Sequence, residues 1–317
     1  MTDFRVQDPP RPRDRHRQVR FAARVPRHRE RTLRNRASGL TAWLLRGLLA
    51  LYVLVPFYFL FLVSLQTRAE SLSVPPDWFP GLDFGNYTAV LSRIFSDAPA
   101  TTAADFIWPG VRNSAVVAIM VAIVNLATGA TAGYAFARFR FPGRRVIPLA
   151  MLGSQMVPSF VLIIPYYVVL RNLGLTNSRW GVVIALLSIT LPFTVWLMRA
   201  YFENIPVELD RAARIDGCTR TSAFLRVVLP LARPGLISIG LFAFMIAWND
   251  FLFSIILVSD QEQILVQPAI AGLYNIREQS FGTMAAGSLL AALPTMLLAL
   301  VTQRYLVRGL LAGAKKG

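Results

Sequence analysis

The residues from which most catalytic and metal centres are built are nearly missing from this chain. Cysteine occurs once, at Cys218, so no intrachain disulfide and no paired-cysteine metal or redox motif can form. The two histidines, His16 and His28, both fall in the first 39 residues, which leaves the apolar remainder without an imidazole base or ligand. Lysine occurs only as Lys315 and Lys316, with Gly317 alone after them. A phosphate-cradling G-x-x-x-x-G-K-[ST] loop is therefore absent, and with it P-loop hydrolysis of ATP. Charge is scarce as well: 16% of the 317 residues are Asp, Glu, Lys or Arg, against roughly 25% in soluble domains. Apolar residues fill the difference, at 55% of the chain with a mean hydropathy of +0.49. They stand in long uncharged blocks separated by short basic connectors, the arrangement of a polytopic membrane protein.

A hydrocarbon core about 30 Å thick needs about 20 helical residues to cross it. Six stretches are long enough: about 40–65, 113–137, 146–170, 180–198, 236–258 and 281–303. The second, third and sixth hold no Asp, Glu, Lys or Arg. Arg46 stands near the start of the first, where a long side chain can snorkel to headgroups. Without water to satisfy backbone amides, each is expected to be a helix. The first span is too long for the apolar region of a signal peptide and lacks a small-residue cleavage pattern, so it reads as a retained helix. Of the 33 Lys and Arg, 27 lie in the segments on the side of both termini and 6 on the other, which predicts cytoplasmic termini.

Residues 1–39 carry 12 Arg and four acidic groups with little apolar material, so this tail is expected to be disordered and drawn to anionic lipid. No aromatic or structured motif in it supports nucleic-acid binding. Residues 40–317 form the span-bearing domain. Segment 66–112, with Trp78, Phe79, Pro80, Gly81 and Tyr87, reads as a packed cap of short helices, and Phe141-Pro142-Gly143 as a tight turn. Gly129 and Gly133 make a small-xxx-small pair suited to close helix packing.

The connection after the fourth span, about 203–235, is the most informative. Pro206 suits a first helical turn, residues 207–215 read as a short helix, and Gly217 suits a left-handed stop. Thr219 or Thr221 can cap a second helix, which Pro230 ends or bends. Leu209, Ala212 and Ala213 give the first helix a flat apolar surface; Phe224, Leu225, Val228 and Leu229 do so for the second. A docking element and a surface-lying amphipathic linker both fit these properties.

The spacing Ala212-Ala213, three residues, Gly217, nine residues, Val227, one residue, Leu229-Pro230 resembles the EAA loop of binding-protein-dependent ABC importer permeases. Ala247-Trp248-Asn249-Asp250-Phe251-Leu252-Phe253 is similar to the fifth-span motif of their carbohydrate branch, and 303–317 to the C-terminus of the maltose-permease-like subunit. One departure is plain: Arg211 stands where the loop's signature has glutamate, with Glu208 and Asp210 nearby.

The resemblance implies an all-α membrane protein with six transmembrane helices, the type I ABC importer permease fold, in a bacterial cytoplasmic membrane. It implies that Glu208, Asp210, Arg211, Ala212, Ala213, Asp216, Gly217, Leu229 and Pro230 belong to an ATPase-coupling loop. The implied partners are a second permease subunit, two ATPase subunits and an extracytoplasmic solute-binding protein. No cofactor is expected on this chain; ATP and Mg would be used by the ATPase. Asn125, Gln155, Trp248, Asn249 and Asp250 are the polar or aromatic candidates for a substrate path within the spans. An interhelical hydrogen bond is the favoured reading of Asp250, and interhelical bonding the commoner use of Asn125 and Gln155. An importer permease for a non-sugar solute and an ion-coupled secondary transporter are the rival readings. The second is expected to bury several ionisable groups, whereas Asp250 is nearly alone here.

Overall fold

The computed structural model describes residues 29–75, 78, 81–95, 101–274 and 281–314, and among them every regular element is helical. The chain divides into a first unit, Met1–Pro56, and a second, Phe57–Gly317. In the first, residues 1–28 lie outside the described residues. Helix α1 (Arg29–Ser64) begins within the segment expected as tail, because its Arg-, Leu- and Ala-rich sequence favours helix before the apolar run starts. Trp43, Leu48 and Tyr52 of this unit are largely exposed.

In the second unit, α2 (Arg68–Ser71), α3 (Gly85–Phe95) and a 3-10 turn (Ala103–Phe106) build the connection after the first span. Asn86 ties it down, donating to the carbonyls of Ser64 and Gln66 and accepting from the Thr283 hydroxyl. Trp78 lies edge-on to Phe59 with centroids 5.4 Å apart; Phe79 and Pro80 lie outside the described residues. Next come α4 (Ile107–Arg138), α5 (Val146–Ser154), α6 (Ile163–Asn172), α7 (Arg179–Glu203) and α8 (Val207–Ile215). Then α9 (Arg220–Ala223), a π turn (Phe224–Val228) and α10 (Leu229–Leu231) follow in one run. Last are α11 (Arg233–Trp248), α12 (Leu252–Leu257), α13 (Val266–Gly272) and α14 (Phe281–Ala314).

Four helices are long and apolar enough to cross a membrane, and two bent pairs raise the number to as many as six among the described residues. The bends correct two expectations. The third span is not one helix: Val146–Ser154 and Ser159–Asn172 meet at 86°. Pro158 lies in the gap and disfavours the helical conformation of Val157 before it, and Gln155 becomes the exposed C-cap of α5. The fifth span starts at Arg233, 78° away from the preceding Arg220–Leu231, and is interrupted after Trp248.

Helix α4 is the centre of the second unit, packing along α7 and α11. Ile107, Val117, Val121, Leu186, Ala243 and Trp248 belong to one buried cluster, and Ala130, Met198, Phe202, Phe224 and Val228 to another near the α4 C-terminus. Asn125, fully buried, donates to Thr190 Oγ1 at 2.8 Å and accepts from Thr194 Oγ1 at 2.9 Å, so α4 and α7 share a closed polar network. Gly129 and Gly133 face α7 on the same side. A Cβ on Gly133 would sit 2.6 Å from Met198 Cβ and 2.9 Å from the Arg199 amide. At Phe141-Pro142-Gly143 the chain reverses as expected: Arg144 N–H donates to Phe141 O, and Gly143 takes φ +81°.

Gly133→Val is therefore expected to force α4 from α7. Overpacking of this kind costs about 1–3 kcal/mol. The purified variant should show a clearly lower thermal midpoint than Gly153→Val, since a Cβ at Gly153 meets nothing within 4 Å.

Candidate functional site

From Pro206 to Thr219 the loop folds as its punctuation predicts. Pro206 precedes α8, and Gly217, at φ +91°, ends it. The Cys218 amide donates to Ala213 O and the Gly217 amide to Arg214 O, which closes the 6→1 and 5→2 pair of a Schellman stop with Asp216 as C-cap. Nothing lies within 4 Å of a Cβ on Gly217, so only its left-handed backbone demands glycine. Thr219 accepts from the Ser222 amide and starts α9. Pro230 does not end the second run, which continues to Leu231. It lies two residues after a π turn whose bond runs from Leu229 N–H to Phe224 O, and the sharp bend follows at Ala232. Leu229 and Pro230 are half-buried there.

The faces of α8 are less simple than the sequence implies. Glu208, Leu209, Arg211, Ala212, Asp216 and Ile215 are exposed, Ile215 at 86%, whereas Ala213 turns inward. Asp210 turns inward with it, one helical turn earlier. Its carboxylate accepts from Tyr134 Oη and from Arg138 Nε, both at 2.8 Å, and Arg138 also donates to Ile205 O at 2.7 Å. The side chains of Arg138 and Asp210 are only 9% and 11% exposed. This pair pins α8 to the last turn of α4. Rings complete the junction: Tyr134, Phe202 and Phe224 lie with centroids 4.4–6.1 Å apart, joining α4, α7 and the π turn. Arg144 caps the carbonyls of Phe136 and Ala137 at the end of α4.

Sequence reasoning missed Tyr134 and Arg138. Two signals were available: they stand four residues apart at the end of an apolar run, on one helical face, and Asp210 shares the inward face of α8 with Ala213. Glu208 and Arg211 close no ion pair between themselves among the described residues. Beside α8 opens a cleft of about 410 Å³, lined by Arg138, Arg140, Asp210, Arg211, Arg214 and Arg220, with Arg220 stacked 5.7 Å over the Phe139 ring.

The candidates within the spans do not converge with this loop. Asn125 is spent on Thr190 and Thr194. Trp248 is buried, donates from Nε1 to Ala291 O at 2.9 Å and stacks on Phe244, which ties α11 to α14. Asn249 is exposed and donates to Met245 O of its own helix. Asp250, expected within a continuous helix, stands at its break. Among the described residues no hydrogen bond to another span holds it; it accepts from the Phe253 and Ser254 amides and the Ser254 hydroxyl. The interruption frees the first amides of α12, and a carboxylate placed just before them caps them.

A family model described as "Binding-protein-dependent transport system inner membrane component" matches residues 126–311, more than half of the chain. The chain belongs to this family. It is thus a multi-pass inner-membrane protein, and several of its relatives are named as permeases of sugar uptake systems. The diacetylchitobiose uptake permease DasC of Streptomyces coelicolor is 32% identical over 83% of this chain and 91% of its own length. The trehalose transport permease SugB of Mycobacterium tuberculosis is 32% identical over 89% of this chain and 99% of its own. The trehalose/maltose permease MalG of Thermococcus litoralis is 31% identical over 85% and 94%. The fold resembles the crystal structure of a bacterial ABC transporter involved in alginate import, with a TM-score of 0.70 at 23% identity over 86% of this chain and 97% of that one.

Removing one partner of a buried ion pair typically costs about 3–5 kcal/mol. Asp210→Ala should therefore lower the thermal midpoint of the permease markedly. Combined with Arg138→Ala, it should cost less than the sum of the two single changes. Strictly additive effects would show that the two side chains do not interact.

Proposed function

We propose that this chain is a permease subunit of an ATP-driven importer for a sugar or oligosaccharide. It crosses the membrane six times with both termini in the cytoplasm, and α8 is the helix on which a cytoplasmic ATPase subunit docks. A second permease completes the path, two ATPases hydrolyse MgATP, and an extracytoplasmic solute-binding protein delivers the substrate. The observation that carries the sugar assignment is the set of relatives named for diacetylchitobiose, trehalose and maltose uptake, matched over 91–99% of their own lengths. The ATPase-docking role is supported by the short capped helix α8, which carries exposed Leu209, Ala212 and Ile215 and is anchored to α4 from behind. Asp210 thereby belongs to the anchor, and Glu208, Arg211 and Ala212 to the docking face. Gln155 and Asn249, exposed at the two helix breaks, are the substrate-path candidates retained.

Reconstituted with its companion permease, ATPase and binding protein, the complex should accumulate sugar only with ATP. Gly217→Val, strained by its positive φ, should reduce transport and stimulated ATP hydrolysis together. Undiminished sugar uptake by cells lacking both permease genes would reject the assignment.

Topology is tested with the lone cysteine. Cys218 is half-exposed on the loop placed in the cytoplasm, so a membrane-impermeant maleimide should label it in inverted vesicles and not in intact cells. Gln261→Cys in a Cys218→Ser background should give the reverse pattern, and labelling of Cys218 from outside would overturn the orientation.

A further inference from the structure

We propose that the arginine-lined cleft beside α8 receives a carboxylate side chain of the ATPase that docks there; the inference rests on the docking role of α8 proposed above. The charges around the cleft do not balance. Arg138 is neutralised by Asp210, its partner at 2.8 Å. Arg140, Arg211, Arg214 and Arg220 line the same cleft and, among the described residues, have no carboxylate within ion-pair distance. Like charges gathered around a concavity focus a positive potential that a bound anion relieves. A guanidinium fork matches a planar carboxylate in two parallel hydrogen bonds.

Two features make that anion part of a protein rather than a lipid headgroup. Arg211 and Arg214 project from α8 itself, beside exposed Leu209, Ala212 and Ile215, so a body covering the apolar rim also closes the cleft. Such a charged pocket flanked by a flat apolar surface fits an interface in which charge selects register and partner. Second, Arg211 occupies the position at which the loop signature carries glutamate. The charge at the centre of this docking face is therefore positive, the sign that a carboxylate of the partner complements.

The test uses the assembled complex, with retention of the ATPase on affinity-tagged permease measured at rising salt. Wild-type retention should fall as salt screens the contact. Arg211→Glu and Arg214→Glu should each weaken retention about tenfold or more at low salt, and Arg214→Lys should weaken it less than Arg214→Gln. An Asp or Glu of the ATPase that crosslinks to the cleft should, when changed to Arg, lose docking to the wild type and regain it with Arg214→Glu. These arginines are exposed, so the variants should keep the wild-type thermal midpoint; if a reversal misfolds, Arg214→Gln reads the same quantity. Retention that ignores both salt and the reversals would overturn the proposal. So would reversals that leave docking intact but abolish binding to phosphatidylglycerol vesicles, since the cleft would then belong to lipid. The docking role of α8 fails separately, if Ile215→Asp and Gly217→Val leave ATPase retention untouched.

Discussion

Apolar side chains gain little by leaving lipid tails for protein, so helices in a bilayer are held by close packing and by the few polar groups they share. In this permease those groups are concentrated on α4. Near its start, Asn113 donates to Glu262 O and Ile264 O while Ser114 accepts from the Val266 amide, which fixes the segment leading into α13. In its middle, Asn125 holds α7. At its end, Tyr134 and Arg138 hold α8. Together with Asn113 and Asn125, the buried Val117, Val121, Gly129 and Gly133 make a stripe spaced by four. A spacing of four advances about 40° beyond a full turn at each step, so the stripe winds around α4. One end, at Asn113, meets the segment leading into α13, where the neighbouring Gly110 lies against Val266, and the other meets α7, through Gly133 against Met198.

The same scarcity of polar groups explains where spans break. An interrupted helix exposes amides and carbonyls that hydrocarbon cannot satisfy, so a break persists only where the sequence carries its own remedy. After Trp248 the remedy is Asp250, which takes the amides of α12, while Ser254 returns its hydroxyl to the Asp250 carboxylate and carbonyl. At the bend between α5 and α6 it is Pro158, which has no amide to satisfy. Trp248 keeps the interrupted span in place by donating to the Ala291 carbonyl on α14, three residues before the Pro294 of that helix. A mid-span carboxylate thus reads first as part of the backbone's own hydrogen-bond economy.

Sequence made the loop's local grammar legible and its partners illegible. Pro206, Gly217 and Thr219 act within a turn of themselves, and each does in the fold what its chemistry dictates. The resemblance to importer permeases likewise rested on contiguous spacing, and the family match bears it out. Asp210 is different. Written among Glu208 and Arg211 it looks like one more solvated charge, and only Arg138, seventy-two positions away in sequence, makes it a buried anchor. Ala213 was legible as apolar but not as facing its own protein. The break at Gln155 through Pro158 was hidden because an uninterrupted apolar run and a prolyl bend satisfy the same count of residues.

These placements give the proposed coupling a mechanical form. On that reading, a docked ATPase pushes on α8 through its exposed side, and the inward side must pass the push on. The inward contacts are a short buried ion pair to α4 and a cluster of rings shared with α7, both less compliant than a solvated loop. Movement of α8 is then delivered to the two helices that Asn125, Gly129 and Gly133 already lock together, so they respond as one body. On the same reading, the 78° bend before α11 is where that body would turn against the rest. A stiff junction followed by a sharp bend converts a small displacement into rotation, which is what a bistable path requires if a ligand bound elsewhere is to bias it.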